Sequence, residues 1–261
     1  MENVKDIDGN SYKTVKIGRQ ILMAENLKVT HYQNGDKIPN FHDNDDWRKL
    51  DKGAYCVYDN NENNANIYGR LYNWFAVNDK RNLAPKGWRI PTDFEWIMLE
   101  IFLGLRYDEH QRSGWRGHKL GAILKDFLAS HFKKYAMYRE SGHSVGTKLM
   151  DYLNQPNEEF NTFLGGTRYA NGEFHDLRFN GDFWSYPEAS YFIVSGRKSG
   201  SNLNDDAWYR RLDNSHSGIF RENADETGLS GCSKRSGKSV LCIKGSEAIE
   251  SPLGIHSVYP P

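Results

Sequence analysis

The chain has 261 residues, with 34 Lys+Arg against 34 Asp+Glu, so its formal net charge is zero at neutral pH. That balance removes the electrostatic signature of a nucleic-acid or acidic-membrane binder, and no run approaches the ~20 apolar residues that a membrane helix needs. Hydrophobic residues make up 38% and aromatics 13%, so rings must supply much of the core.

The start, MENVKDIDGN, has no apolar h-region of a secretory signal. DIDGNSYKTVKIG places an Asp-Gly turn before alternation through Tyr12, Val15 and Ile17, which predicts a hairpin. QILMAENLKVTHY continues into a second strand or turn, HYQNGDKIPN carries an Asn-Gly turn, and FHDNDDWRKLDKG reads as a polar loop. GAYCVYDNN is a short aromatic strand ended by the Asx-rich loop DNNENNAN, and in YGRLYNWFAVND the residues Leu71, Trp74 and Phe75 suit the buried stripe of a short helix. LAPKGWRIPTDFEWIMLE then combines Pro91, a Thr92–Glu95 capping box, and Phe94, Ile97, Met98, Ile101 and Phe102 at helical spacing.

Residues 104–145 break the rhythm and read as a helical insertion, with Leu120, Ile123, Leu124, Phe127, Leu128 and Phe132 on one face. From residue 160 the text is β-like and turn-dense. Asn171-Gly172 and Asn180-Gly181 mark tight turns, and Ala207–Tyr209 and Ser239–Ile243 read as strands. The sequence thus predicts one α+β domain over 1–245, with antiparallel strands and two or more packed helices, and a C-terminal extension over 246–261. Three cysteines leave one bridge open, Cys56–Cys242 or Cys232–Cys242, beside the alternative of free buried thiols.

Eight blocks in order carry a family resemblance: DIDGNSYKTVKIGRQILMAENLKVTHYQNGDKIPN, GAYCVYDN, YGRLYNWFAVND, LAPKGWRIPTDFEW, FLGGTRYANGEF, FWSYPE, AWYRRL and SVLCIKG. Together they resemble the Fibrobacter succinogenes major paralogous domain family over roughly residues 5–245. The 104–145 insertion, the LSGCSKRSG stretch and the tail after Gly245 depart from it. The resemblance implies a C-type-lectin-like fold, found mostly in surface-exposed or secreted proteins of Bacteroidetes-type bacteria and their phages. It also implies a binding or adhesion role, in some similar proteins with a ligand face diversified by retroelements. Under it, Trp88, Pro91, Thr92, Glu95 and Trp96 belong to a framework helix.

The stretch 186–225 is the candidate ligand face. Between framework-like Trp184, Trp208, Arg210, Leu212, Ile219 and Arg221 stand Tyr191, Asn204, Asp206, Tyr209, Arg211, Asp213, Asn214, His216, Phe220, Glu222 and Asn223. Stiff aromatics give contact area and Asn or Ser side chains adaptable hydrogen bonds, the composition of a paratope. Tyr191, Tyr209 and Phe220 are the expected anchors. The expected partner is a protein or glycan on a cell surface, with a homo-oligomer or a phage virion (receptor-binding or tail-associated) as alternatives. No nucleic-acid partner and no membrane insertion are expected.

The expected cofactor is none, with calcium as the alternative. DIDGN, HDNDD and DNNEN offer oxygen ligands but lack calcium-loop spacing, and Pro187-Glu188 only faintly resembles a lectin calcium motif. The cysteines lack the companions of a zinc site. An enzyme is the minority reading. A formylglycine-generating-type oxidase would need two close cysteines, and nine residues stand between Cys232 and Cys242. A hydrolase would need His131, His143, His175, Glu158, Glu159 and Asp176 to converge, which their spacing does not demand.

Overall fold

The computed structural model describes residues 3–128, 163–186, 207–224 and 233–245. Val4–Lys5 (β1) and Ser11–Tyr12 (β2) form the expected hairpin. Its turn is closed by Asp6, whose carboxylate accepts the N–H groups of Asp8 and Asn10 and the Tyr12 hydroxyl. Thr14–Ile17 (β3) and Gln20–Met23 (β4) pair next. Ile243–Lys244 (β14) lies between β4 and Trp88–Arg89 (β7), so the last described strand joins the early β3–β4 pair in one four-stranded sheet of order β3-β4-β14-β7. Tyr55–Cys56 (β5) and Leu71–Tyr72 (β6) form a separate ribbon. Leu71, expected on a helix stripe, therefore belongs to a strand, and the short helix begins at Trp74.

The main sheet has six strands in the order β10-β9-β11-β12-β13-β8. These are Phe174–Leu177 (β10), Gly165–Arg168 (β9), Asn180–Trp184 (β11), Ala207–Asp213 (β12), Ile219–Ala224 (β13) and Gly114–Arg116 (β8). Gly172 (φ 92°) makes the expected β9–β10 turn. Asn180-Gly181 is not a turn but part of β11. Gly181 pairs in parallel with Gly166, and a Cβ on it would sit 2.5 Å from the Phe163 carbonyl, so glycine is there for close approach. The reversal comes earlier, where Asp176 and Arg178 take positive φ.

Five helices accompany the described strands: Asn44–Arg48 (α1), Glu62–Tyr68 (α2), Trp74–Val77 (α3), Asp93–Phe102 (α4) and Leu120–Leu128 (α5). The class is α+β, as expected. Two helices replace expected loops. In α1 the Asp43 carboxylate accepts the N–H groups of Asp45 and Asp46, while Trp47 is fully buried. In α2 Asn61 accepts from Asn63, and Gly69 (φ 77°) ends the helix over buried Ala65 and Tyr68. Both loops were read from Asx content, but a leading Asx is also a helix cap, and one buried ring suffices to hold so short a helix.

The stretch expected as a helical insertion is more closely integrated. β8 extends the main sheet on β13, and Leu120, Ile123, Leu124, Phe127 and Leu128 of α5 join Trp96, Phe183, Leu212 and Ile219 in one core. Phe132 and the rest to 145 lie outside the described residues, as does the tail after Gly245. A second core is ring-dominated, with Tyr12, Tyr32, Tyr72, Trp74, Trp184 and Tyr209. The Cys56–Cys242 bridge is not formed: both thiols are free and buried, Cys56 in the Trp47 cluster and Cys242 in the ring-dominated one. Burial pushes the Cys56 thiol up to about 12 and raises Cys242 as well.

Candidate functional site

One face of the main sheet meets α4. The Thr92–Glu95 capping box is present, with the Glu95 N–H donating to Thr92 Oγ1 and the Thr92 N–H to Glu95 Oε2. Arg89 clasps the same Glu95 carboxylate. At the first residue of α4, Asp93 accepts from Arg210 Nη1 at 2.7 Å and from Arg221 Nη2 at 2.6 Å, while further along the helix Glu100 takes Arg210 Nε at 2.6 Å and Arg116 on its other oxygen. All five side chains are buried.

Burial alone would raise the Asp93 carboxyl, but Arg210 and Arg221 more than offset it and hold it well below the ordinary carboxylate range. Arg116 falls to about 10, chiefly through burial, with Glu100 opposing and the two neighbouring guanidiniums adding to the drop. The arginines expected as framework, Arg210 and Arg221, therefore tie β12 and β13 to α4. Trp208 is part of the brace, with the Arg221 guanidinium 3.6 Å above its ring.

The opposite face follows from strand alternation. Register sets His175 against Thr167, Asp182 against Arg211, Arg211 against Phe220, and Phe220 against Trp115. Thr167 Oγ1 donates to Asp182 Oδ2 at 3.0 Å and closes the remaining step. One row of side chains thus crosses all six strands: His175, Thr167, Asp182, Arg211, Phe220, Trp115. Its middle is covered by Lys238, whose Nζ lies 2.8 Å from Asp182 Oδ2.

The β13–β8 end of the row is open. Trp115 is 39% exposed, stacks with His216 at 3.8 Å between ring centres and meets Phe220 at 5.3 Å. The Arg211 guanidinium lies 5.9 Å from the Phe220 ring centre. At the other end His175 stacks on Tyr169 at 4.0 Å.

The expected ligand residues divide. Tyr191, Asn204 and Asp206 lie outside the described residues. Tyr209, expected as an exposed anchor, is 1% exposed: it packs edge-on to Trp184, and Lys238 Nζ sits 4.0 Å above its ring. Asp213 shapes the turn after β12 by accepting the N–H groups of Ser215 and His216, and Asn214 bonds the Arg178 carbonyl. Asn223 accepts the Ala207 N–H across the strand pair. Arg211, His216, Phe220 and Glu222 are the expected residues that the face presents at its surface. Trp115, Asp182 and Lys238 were not among the candidates. β8 sits inside the apparent insertion, and nothing in SGWRG announces a strand.

The acidic stretches have structural duties: Asp6 closes a turn, and Asp43 and Asn61 cap helices. Among the described residues no group of three His, Cys, Asp or Glu is placed to hold a metal ion. Of the hydrolase candidates, Asp176 bonds Asn180 and His175 is in the Tyr169 stack, while His131, His143, Glu158 and Glu159, like Cys232 and Pro187-Glu188, lie outside the described residues. No described helix is long and apolar enough to cross a membrane.

No curated protein and no solved structure matches the chain. The family model for the Fibrobacter succinogenes major domain matches residues 15–244, most of the length. The chain is a member of the Fibrobacter succinogenes major domain family.

Proposed function

We propose that this domain is a non-enzymatic recognition module whose ligand lies on the β12–β13–β8 end of the cross-sheet row. The observation that carries this reading is the contiguous strip His216–Trp115–Phe220–Arg211, accessible on one face of a sheet braced from behind by the Asp93–Glu100–Arg116–Arg210–Arg221 cluster. Rings partly open to solvent on a rigid support are the usual makings of binding hot spots. Alternation supports a diversified surface as well. Residues 211, 220 and 222 face away from the core packed by residues 210, 212, 219 and 221. Burial of the two described thiols, which keeps them protonated, favours binding over cysteine oxidation chemistry.

In this reading the ligand is a protein or glycan at a cell surface, and the domain works outside the cell or on a phage particle. The test is a binding screen against a glycan array and intact Bacteroidetes-type cells, with Trp115→Ala and Phe220→Ala as site variants. Binding lost in variants that melt like the parent supports the assignment. Binding that survives both substitutions refutes it.

A further inference from the structure

Asp182 is fully buried yet faces two cations, Lys238 and Arg211. Burial pushes its carboxyl up, and those two cations more than reverse the effect, so it stays ionised. Of the two cations, Arg211 is the one that keeps part of its side chain exposed, 23%. Its Nε and Nη2 both donate to Asp182, at 2.6 and 2.9 Å, which fixes the plane of the guanidinium. Nη1 has no acceptor among the described residues. Beside that oriented donor lies the Phe220 ring, and Trp115 meets Phe220 on its far side at 5.3 Å with the two ring planes inclined by 64°. Two negative groups flank Arg211 on this face, Asp213 two residues along β12 and the half-exposed Glu222 on β13.

We infer that the ligand of this face is a carboxylate-bearing sugar of the uronic-acid type. Its carboxylate accepts from Arg211 Nη1 while the C–H face of its ring lies on Phe220 and Trp115. The inference rests on the recognition reading given above for the same face. A neutral sugar would offer the Arg211 Nη1 donor no charged acceptor. An acidic peptide side chain brings the carboxylate but no rigid apolar face to cover two rings. Placing charge and apolar face one ring apart is what a sugar acid does.

The test is calorimetric titration of the full chain with a panel of uronic-acid oligosaccharides and with the methyl esters of the same compounds, which keep the ring and remove the charge. The acids should bind about tenfold tighter than their esters, the size of one hydrogen bond to a charged group. Added salt should weaken only the acids. Arg211→Lys, which keeps the charge facing Asp182 but lacks the spare fork, should bring acid and ester together, and Glu222→Gln should tighten the acids. The ester comparison needs no variant, so a folding defect in Arg211→Lys cannot mask the result. Equal binding of acid and ester, lost in Phe220→Ala, would overturn the acidic class and leave the face standing. Acid-selective binding untouched by Phe220→Ala would overturn the face itself. Failure of the whole panel, or Arg211-dependent capture of an Asp/Glu-rich peptide instead, would overturn the sugar acid.

Discussion

Tyr209→Ala separates framework from ligand face, because pattern alone places Tyr209 with Phe220 and the structure does not. Tyr209 is 1% exposed, edge-on to Trp184 at 6.1 Å and 6.2 Å from Phe220, with the ammonium of Lys238 4.0 Å above its ring. Truncating a buried aromatic removes its transfer free energy and leaves a cavity, together about 3–5 kcal/mol. The buried Lys238 also loses a ring that helps to compensate its charge. Against a typical total of about 5–15 kcal/mol, that is a large fraction. For a domain of this size it corresponds to a fall in Tm of roughly 6–20 °C. Phe220 is half-buried at the sheet surface, so Phe220→Ala should cost only about 1–2 kcal/mol. Scanning calorimetry of the two single variants, with ligand binding measured below both transitions, decides the matter. If Tyr209→Ala melts like the parent while abolishing binding, Tyr209 is an anchor and its place in the core is wrong.

Asp93→Asn leaves Arg210 and Arg221 buried without their shared carboxylate, at a cost of about 3–5 kcal/mol measurable by urea denaturation. The same group fixes an acid limit. Its folded pKa lies below the ordinary carboxyl value of 3.8, so its stabilisation is fully present above that value and drains away as pH falls through and below it. Asp182, shifted the same way, adds to the effect, and Tm should therefore drop steeply below about pH 4 in the parent and less steeply in Asp93→Asn. Gly181→Ala forces a Cβ to within 2.5 Å of the Phe163 carbonyl and should destabilise by about 1–3 kcal/mol in thermal melts, with near-parental stability counting against the close approach. In a Cys232→Ala chain, Cys56 and Cys242 should ignore a thiol reagent until denaturant is added, and rapid native labelling would contradict their burial.

Hairpins and strands were legible because their signals are local: an Asp-Gly turn at residues 8–9, an Asn-Gly turn at 171–172, alternation through Val15 and Ile17. The capping box was legible for the same reason. The buried face of α4 was not. The apolar stripe points to Phe94, Ile97, Met98, Ile101 and Phe102, yet all of these but Ile97 are the more exposed positions, and Phe102 is half open to solvent. The side that is buried carries Asp93 and Glu100, because three arginines from β8, β12 and β13 meet it. A carboxylate reads as a solvent residue until its partner, more than a hundred positions away for Arg210 and Arg221, is known. Hydrophobic periodicity misplaces any helix face that is neutralised rather than apolar.

The same non-locality governs the ligand face. Alternation within β12 and β13 correctly separates Arg210, Leu212, Ile219 and Arg221 from their neighbours, so the division into two faces was in the text. Which part of the second face stays open was not. That depends on the 233–242 segment, which lays Lys238 over Asp182 and Tyr209 and so makes those two positions core. Conversely, Trp115 enters the face only because β8 adds to the edge of β13. Paratope-like composition marks the strand that carries a site, whereas coverage by distant chain decides which of its side chains a ligand can reach. Tyr209 and Phe220, both on the same side of the sheet, fall on opposite sides of that boundary.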